Sequence, residues 1–121
     1  MYKIDRANKA IKMEFLLGEK QVSYFLPDSI TPGKIAEING ALVKARELPD
    51  KAEAYEAIGN AITELMTAVF GIALANEIIH FFGNNYEEML TEVLPYIVDV
   101  VIPAIKKRSQ ERAKKLSRFA K

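Results

Sequence analysis

The chain has 121 residues, of which half are hydrophobic and 27% are charged, and its formal net charge is +1. This length and composition predict one globular domain and exclude a disordered chain. No cysteine is present, which excludes disulfides, thiolate metal sites and a cysteine nucleophile and suits a reducing cytoplasm. The N-terminal residues lack the apolar core of a secretory signal. The longest strongly apolar run, residues 68–75, is far shorter than the about 20 residues that span a bilayer. We therefore expect a soluble, cytoplasmic protein.

Residues 11–27 predict a β-hairpin. Apolar side chains alternate along both halves of this segment, and a glycine-containing turn, "GEK", separates the halves. Two strands alone are marginally stable in water, so the hairpin must pack on helices, on a third strand or on a neighbouring chain. Leu16 and Phe25 add apolar side chains to its second face. The alternating residues are Met13, Phe15, Leu17, Val22, Tyr24 and Leu26.

The next segment predicts a first helix that begins at Pro32, with Thr31 as its N-cap. Gly40 weakens the middle of this helix, and Pro49 closes the segment. A narrow apolar stripe recurs at helical spacing. It consists of Ile35, Ile38, Leu42 and Ala45.

Residues 50–83 form the main helical block. Asp50 and Glu53 have the spacing of a capping box, and Gly71 is expected to bend or split the block. One face is apolar up to Phe70, and the apolar arc then widens to more than one side. Such a helix is either buried or requires a partner. The residues of the wider arc are Ile72, Leu74, Ile78, Ile79, Phe81 and Phe82.

Gly83 predicts a helix end, and Asn85 predicts the N-cap of one or two further helices. Pro95 either opens a new helix or kinks a continuing one, and Pro103 should bend the helix that contains it. Residues 96–102 are rich in β-branched side chains, so a strand is the competing prediction. We favour a helix because apolar residues lie four apart. These residues are Ile97, Val101 and Ile105.

Charge is segregated along the chain. Residues 1–51 contain nine Lys or Arg and seven acidic residues, whereas residues 52–105 contain eight acidic residues and no Lys or Arg. Residues 106–121 contain eight basic residues and one acidic residue. One interpretation is an acidic body with a solvated basic C-terminal helix. The other is a pair of opposed patches that orient partners or copies of the same chain.

The sequence contains no catalytic signature. Glu77 and His80 have E-x-x-H spacing, but a di-iron bundle needs two such pairs and further glutamates. No serine lies in an elbow motif, and no glycine-rich phosphate loop is present. We therefore predict a protein that is not an enzyme and has no metal or cofactor site.

The basic segment 106–121 favours a protein partner over nucleic acid or membrane. Its cations scatter around a helix with only Phe119 as a ring for base stacking, and the acidic body would repel phosphate. Leu116 and Phe119 provide too small an apolar face for a membrane surface.

The order of these elements resembles a known family. A hairpin, an acidic helical body, the stretch "IIHFFGNNYEEMLTEVLPYIVDVVIPAI" and a basic end are similar to the tail assembly chaperones of long-tailed, siphovirus-like phages or prophages. The resemblance is best over residues 50–115 and includes no catalytic or ligand motif. It implies a chaperone that binds the helical tape measure protein, coats its apolar stretches and self-associates in the host bacterial cytoplasm before tail tube polymerisation.

These inferences combine into one prediction: an α+β, predominantly α-helical single domain over residues 1–121, with an N-terminal β-hairpin packed on a four- to five-helix body. Residues 1–30 form the arm and hairpin, 31–105 the helical body and 106–121 the basic C-terminal helix. Alternative functions are a small nucleic-acid-associated or regulatory protein that uses the basic helix, and a structural virion or head–tail joining component.

The predicted partner-binding residues fall into an apolar and a basic set. The apolar residues have an alternative interpretation as ordinary core. The apolar set is Met66, Phe70, Leu74, Ile78, Phe81, Phe82 and Met89, and the basic set is Lys106, Lys107, Arg108 and Arg112.

Overall fold

The computed structural model describes residues 1–3 and 11–118. In this part of the chain two strands precede a helical body, and helices make up 69% of the described residues. The predicted α+β, mostly helical fold is therefore confirmed. The elements are β1 (Lys12–Leu17), β2 (Lys20–Phe25), α1 (Pro32–Arg46), α2 (Lys51–Phe70), α3 (Ile72–Phe81), α4 (Tyr86–Tyr96), a π-helical turn (Ile97–Val101) and α5 (Ile102–Ser117).

The predicted hairpin is present, with β1 antiparallel to β2. The register pairs Met13 with Tyr24, and a two-residue turn joins the strands. Gly18 occupies the first position of that turn with a φ of +64°, a conformation that glycine adopts without steric cost. Alternation places one face of the hairpin in the core and leaves Leu16 and Phe25 exposed on the other face.

Within residues 11–118, the buried face of the hairpin packs on helices and not on a third strand. Phe15 and Tyr24 lie against Phe70 at the end of α2, with ring centroids 5.6 and 5.2 Å away. The hydroxyl groups of Tyr24 and Tyr96 form a hydrogen bond of 2.9 Å. Burial raises the pKa of Tyr24 well above its ordinary value, and the hydrogen bond to Tyr96 raises it further. This aromatic cluster joins the hairpin to both α2 and α4.

The three predicted N-caps are all present. Each cap side chain accepts a hydrogen bond from a backbone N–H two or three residues later, over 2.8 to 3.1 Å. These bonds satisfy backbone donors that have no partner inside the helix. The caps are Thr31 for α1, Asp50 for α2 and Asn85 for α4.

Gly71 splits the long helical block into α2 and α3. Its φ of +83° and ψ of 162° lie in a region that only glycine occupies readily. Its N–H still donates to the carbonyl of Thr67, and its carbonyl accepts from the N–H of Ala75, both at 2.9 Å. The chain therefore changes direction at Gly71 without losing these two hydrogen bonds.

We expect Gly71→Ala to lower the free energy of unfolding by about 1–3 kcal/mol, because alanine is strained at this φ and ψ. An added methyl group meets no atom within 4 Å, so the effect is confined to the backbone. Gly40→Ala is the matched control: it also adds a methyl group in open space, but in the middle of α1. It should raise the free energy of unfolding by about 0.5–1 kcal/mol. Urea denaturation followed by circular dichroism measures the free energy of unfolding of both variants. A Gly71→Ala variant more stable than wild type would contradict the claim that alanine is strained at this position.

Residues 96–102 are helical, so the competing strand prediction is wrong. The π-helical turn joins α4 to α5 without a break, and the N–H of Ile102 donates to the carbonyl of Ile97. This turn ends two residues before Pro103, which has no N–H to donate to the carbonyl of Asp99. Residues 86–117 are therefore one continuous helical rod whose inner side contributes Val101 to the core.

Candidate partner-binding surfaces

Four of the predicted apolar contact residues lie in the core. Their side chains are almost fully buried and pack in one cluster with the hairpin and the helices. A partner would reach them only if the core opened, so in this conformation they stabilise the subunit. The four residues are Met66, Phe70, Ile78 and Met89.

The other three apolar residues remain at or near the surface. Phe81 is 52% exposed, whereas Leu74 and Phe82 are half-buried against the core. The rings of Phe81 and Phe82 meet edge to face, with centroids 5.1 Å apart. Helix α3 ends at Phe81, and Phe82, the residue after it, packs against the core while Phe81 stays in solvent.

Arg108 does not belong to the exposed basic surface. Its side chain is buried, and its guanidinium donates to the carbonyls of Pro27 at 2.9 Å and Ile30 at 2.7 Å. Burial lowers the pKa of Arg108, and Arg112 lowers it further, while Asp28, 3.8 Å away, has the opposite effect. Arg108 therefore fastens α5 to the loop before α1 and is unavailable to a partner in this conformation.

The remaining basic residues differ in their exposure. Lys106 and Lys107 are exposed, and Arg112 is half-buried. Beyond Arg108 the other residues of α5 are exposed, so this helix projects from the body. Only the first turns of α5 belong to the packed domain.

A long apolar groove lies between α1 and the rod formed by residues 86–117. We call it the apolar groove; its volume is about 510 Å³. Ile35 and Leu42 form one wall, and Leu94 and Val98 belong to the other. Ile62 of α2 lies in the floor. The remaining lining residues are Pro32, Ala36, Ile38, Asn39, Arg46, Ala61, Leu65, Leu90, Ile97, Ile102, Ile105 and Lys106.

The charged residues of the apolar groove have one sign. Arg46 and Lys106 line it, and among the described residues in its lining none is acidic. Arg46 lies beside Leu94, and the neighbouring hollow that they share also contains Asp99. The groove is therefore apolar along its length with a cation from each of its two walls.

This groove was not predicted from the sequence. The sequence does contain a pattern for one wall of the groove. Four apolar residues on the rod are spaced four apart, and they form a stripe beside the buried apolar stripe of the same rod. The stripe becomes a groove wall only because α1 lies opposite, and that pairing is a tertiary feature. The stripe residues are Leu90, Leu94, Val98 and Ile102.

A second apolar hollow lies where the hairpin tip meets α3 and α4. We call it the acid-rimmed pocket; its volume is about 480 Å³. Leu16 and Phe81 provide exposed apolar surface there, and Glu88 and Glu92 are its charged residues. Its other lining residues are Phe15, Leu17, Gly18, Phe70, Ile78, Phe82, Val93 and Tyr96.

The E-x-x-H pair does not form a metal centre in the described structure. Glu77 accepts a hydrogen bond of 2.7 Å from the Lys20 ammonium, and His80 is exposed. Within residues 1–3 and 11–118, no group of three or more His, Cys, Asp or Glu side chains lies close enough together to hold a metal ion. In the same residues, no helix is both long enough and apolar enough to cross a bilayer.

The two hollows and the projecting helix are the features on which a functional interpretation can be based. Comparison with models of protein families, with curated proteins and with solved structures finds no match to this chain.

Proposed function

We propose that this protein is a tail assembly chaperone that binds the helical tape measure protein and associates with itself before the tail tube polymerises. It acts by binding and not by catalysis. The observation that carries the proposal is the apolar groove, a helix-sized surface that the folded subunit leaves open to solvent. The sequence resemblance over residues 50–115 supplies the identity of the client.

The dimensions of the apolar groove suit a helix. The wall formed by α1 has 15 residues, which corresponds to about 22 Å of helix. A client helix of similar length presents three or four turns of apolar residues, and such helices bind grooves through anchors three and four residues apart. A tape measure protein, as a long helical client, offers such segments repeatedly.

The surface chemistry suits reversible binding. Leu94 and Val98 are 40% and 49% exposed, so part of the wall is in water when the groove is empty. A client that covers this surface removes it from water, and this burial contributes favourably to the free energy of binding. Several weak contacts along one client produce avidity while each contact stays easily released. A chaperone that must leave as the tube forms needs this combination.

The cations of the apolar groove favour particular client segments. Arg46 and Lys106 come from opposite walls, so an apolar helix with acidic residues at its flanks matches both. Clients with basic flanks should bind more weakly, because they bring like charges together.

Val98→Asp should weaken binding of the client by about 100-fold, because an unpaired carboxylate would be buried against the client. Val100→Asp is the matched control: Val100 is 44% exposed on the same π-helical turn but does not line the apolar groove. The assay is co-expression with the long, helix-rich client that we expect to be encoded beside this chain, followed by titration of its purified segments. Wild type and Val100→Asp should keep the client soluble, and Val98→Asp should not.

Equal binding by both Asp variants would contradict the groove as the client site. The absence of a long, helix-rich reading frame next to the gene would remove the client itself. Tight binding of DNA that falls steeply with salt would favour the nucleic-acid alternative instead.

A further inference from the structure

The far end of α5 carries an exposed apolar residue in a basic setting. Leu116 is 69% exposed, on the part of α5 that projects beyond Arg108. Residues 112–118 contain four cations and no acidic residue. On a helix Lys115 lies about 100° from Leu116, whereas Lys114 lies about 160° away, on the far side. This end of α5, which we call the tip, therefore combines an exposed apolar side chain with a neighbouring cation.

The acid-rimmed pocket has the complementary properties. Leu16 and Phe81 are its most exposed apolar residues, and Glu88 and Glu92 are four apart on α4, so they share one face of that helix. No cation lines the pocket among the residues that the structure describes. In that part of the chain, no ion pair engages Glu88, Glu92 or Lys115.

These two surfaces cannot meet within one subunit. Glu92 and Leu116 lie on the same continuous helical rod, 24 residues apart, which corresponds to about 35 Å. A rigid helix does not fold back over that length to cover its own earlier turns. The tip of α5 can therefore fill an acid-rimmed pocket only on another copy of the chain.

We propose that the C-terminal end of α5 docks in the acid-rimmed pocket of a second copy, with Leu116 against Leu16 and Phe81 and with Lys115 near Glu92. This contact deepens the self-association that belongs to the proposed function. It joins two different surfaces, so a pair of copies keeps one free pocket and one free tip. Repetition of such a contact produces a ring if the rotation closes and a filament if it does not.

Charge reversal tests the contact in sedimentation velocity experiments over a concentration series without any client. Wild type should increase in mass with concentration, and added salt should reduce the association. Lys115→Glu and Glu92→Lys, each alone, should weaken it by about tenfold, because an attractive pair becomes a repulsive one. Leu116→Ala should weaken it as well. An equimolar mixture of the two charge variants should assemble again, because each tip then meets a pocket of opposite charge.

The controls carry the same charge changes elsewhere. Lys114→Glu lies on the far side of α5 and Glu56→Lys lies on α2, and both residues are exposed. Both variants should associate like wild type at moderate salt. A wild type that stays monomeric throughout, or a mixture that does not regain assembly, would overturn the proposal. Because no client is present, either result leaves the test of client binding at Val98 unaffected.

Discussion

Phe70→Ala should lower the free energy of unfolding by about 3–5 kcal/mol, the largest loss that we expect from a single truncation here. Phe70 is 5% exposed and lies at the centre of the aromatic cluster that joins the hairpin to the helices. Its ring lies 5.6 Å from that of Phe15, 5.2 Å from that of Tyr24 and 6.2 Å from that of Tyr96. Alanine would leave a cavity where these elements meet, so the hairpin would lose its main attachment.

Phe81→Ala is the matched comparison, because it is the same truncation at a side chain that is half in solvent. It should cost less than about 1 kcal/mol. Urea denaturation monitored by both far-ultraviolet circular dichroism and tyrosine fluorescence measures the two variants. Equal losses in the free energy of unfolding would contradict the assignment of Phe70 to the core and Phe81 to the surface. Phe81→Ala should also weaken self-association, whereas Phe70→Ala acts through stability.

Arg108→Ala should lower the free energy of unfolding by about 2–4 kcal/mol, because two backbone carbonyls lose their charged donor. The carbonyl of Ile30 accepts the shorter bond, 2.7 Å, and the side chain of Ile30 is itself buried. The carbonyl of Pro27 keeps a weaker bond of 3.3 Å from the N–H of Ile30. The loop before α1 would then lose its attachment to α5.

Lys107→Ala is the control for Arg108→Ala, since it removes the neighbouring cation from an exposed position. It should change stability by no more than about 0.5 kcal/mol. Chemical denaturation at moderate salt compares the two, and a loss of similar size in both would show that Arg108 contributes only general charge. The loop that Arg108 holds leads into α1, one wall of the apolar groove, so Arg108→Ala should also weaken the proposed client binding there.

The features that were predictable from sequence are local ones. Alternating apolar residues and a glycine-containing turn predicted the hairpin. Successive strand side chains point to opposite faces, and this alternation does not depend on the tertiary packing of the strand. Thr31, Asp50 and Asn85 were recognisable as caps because a cap satisfies backbone donors within three residues of itself. Gly71 broke its helix as expected.

The features that sequence did not reveal depend on which elements meet. Ile78 and Phe81 belong to the same apolar arc, yet the packing of α3 seals the first and leaves the second in solvent. Arg108 was indistinguishable from its basic neighbours, because its burial depends on a loop some 80 residues earlier in the chain. The apolar groove likewise requires that α1 lie opposite the rod.

One helical rod connects these surfaces. Residues 86–117 contribute Glu92 to the acid-rimmed pocket, Leu94 and Val98 to the apolar groove and Leu116 to the projecting tip. The proposed client binding and the proposed self-association therefore use different stretches of a single element. Repeated subunits joined tip to pocket would present their apolar grooves in a regular series, which is the arrangement that a long helical client requires.

The most direct test is nuclear magnetic resonance of the nitrogen-15-labelled protein, titrated with an unlabelled helical segment of the proposed tape measure client. The amide resonances of groove residues such as Leu42, Leu94 and Val98 should shift together and saturate, while those of exposed residues on α2, such as Glu56, stay in place. Shifts confined to residues 109–118, or no shifts at all, would contradict a client held between α1 and the rod.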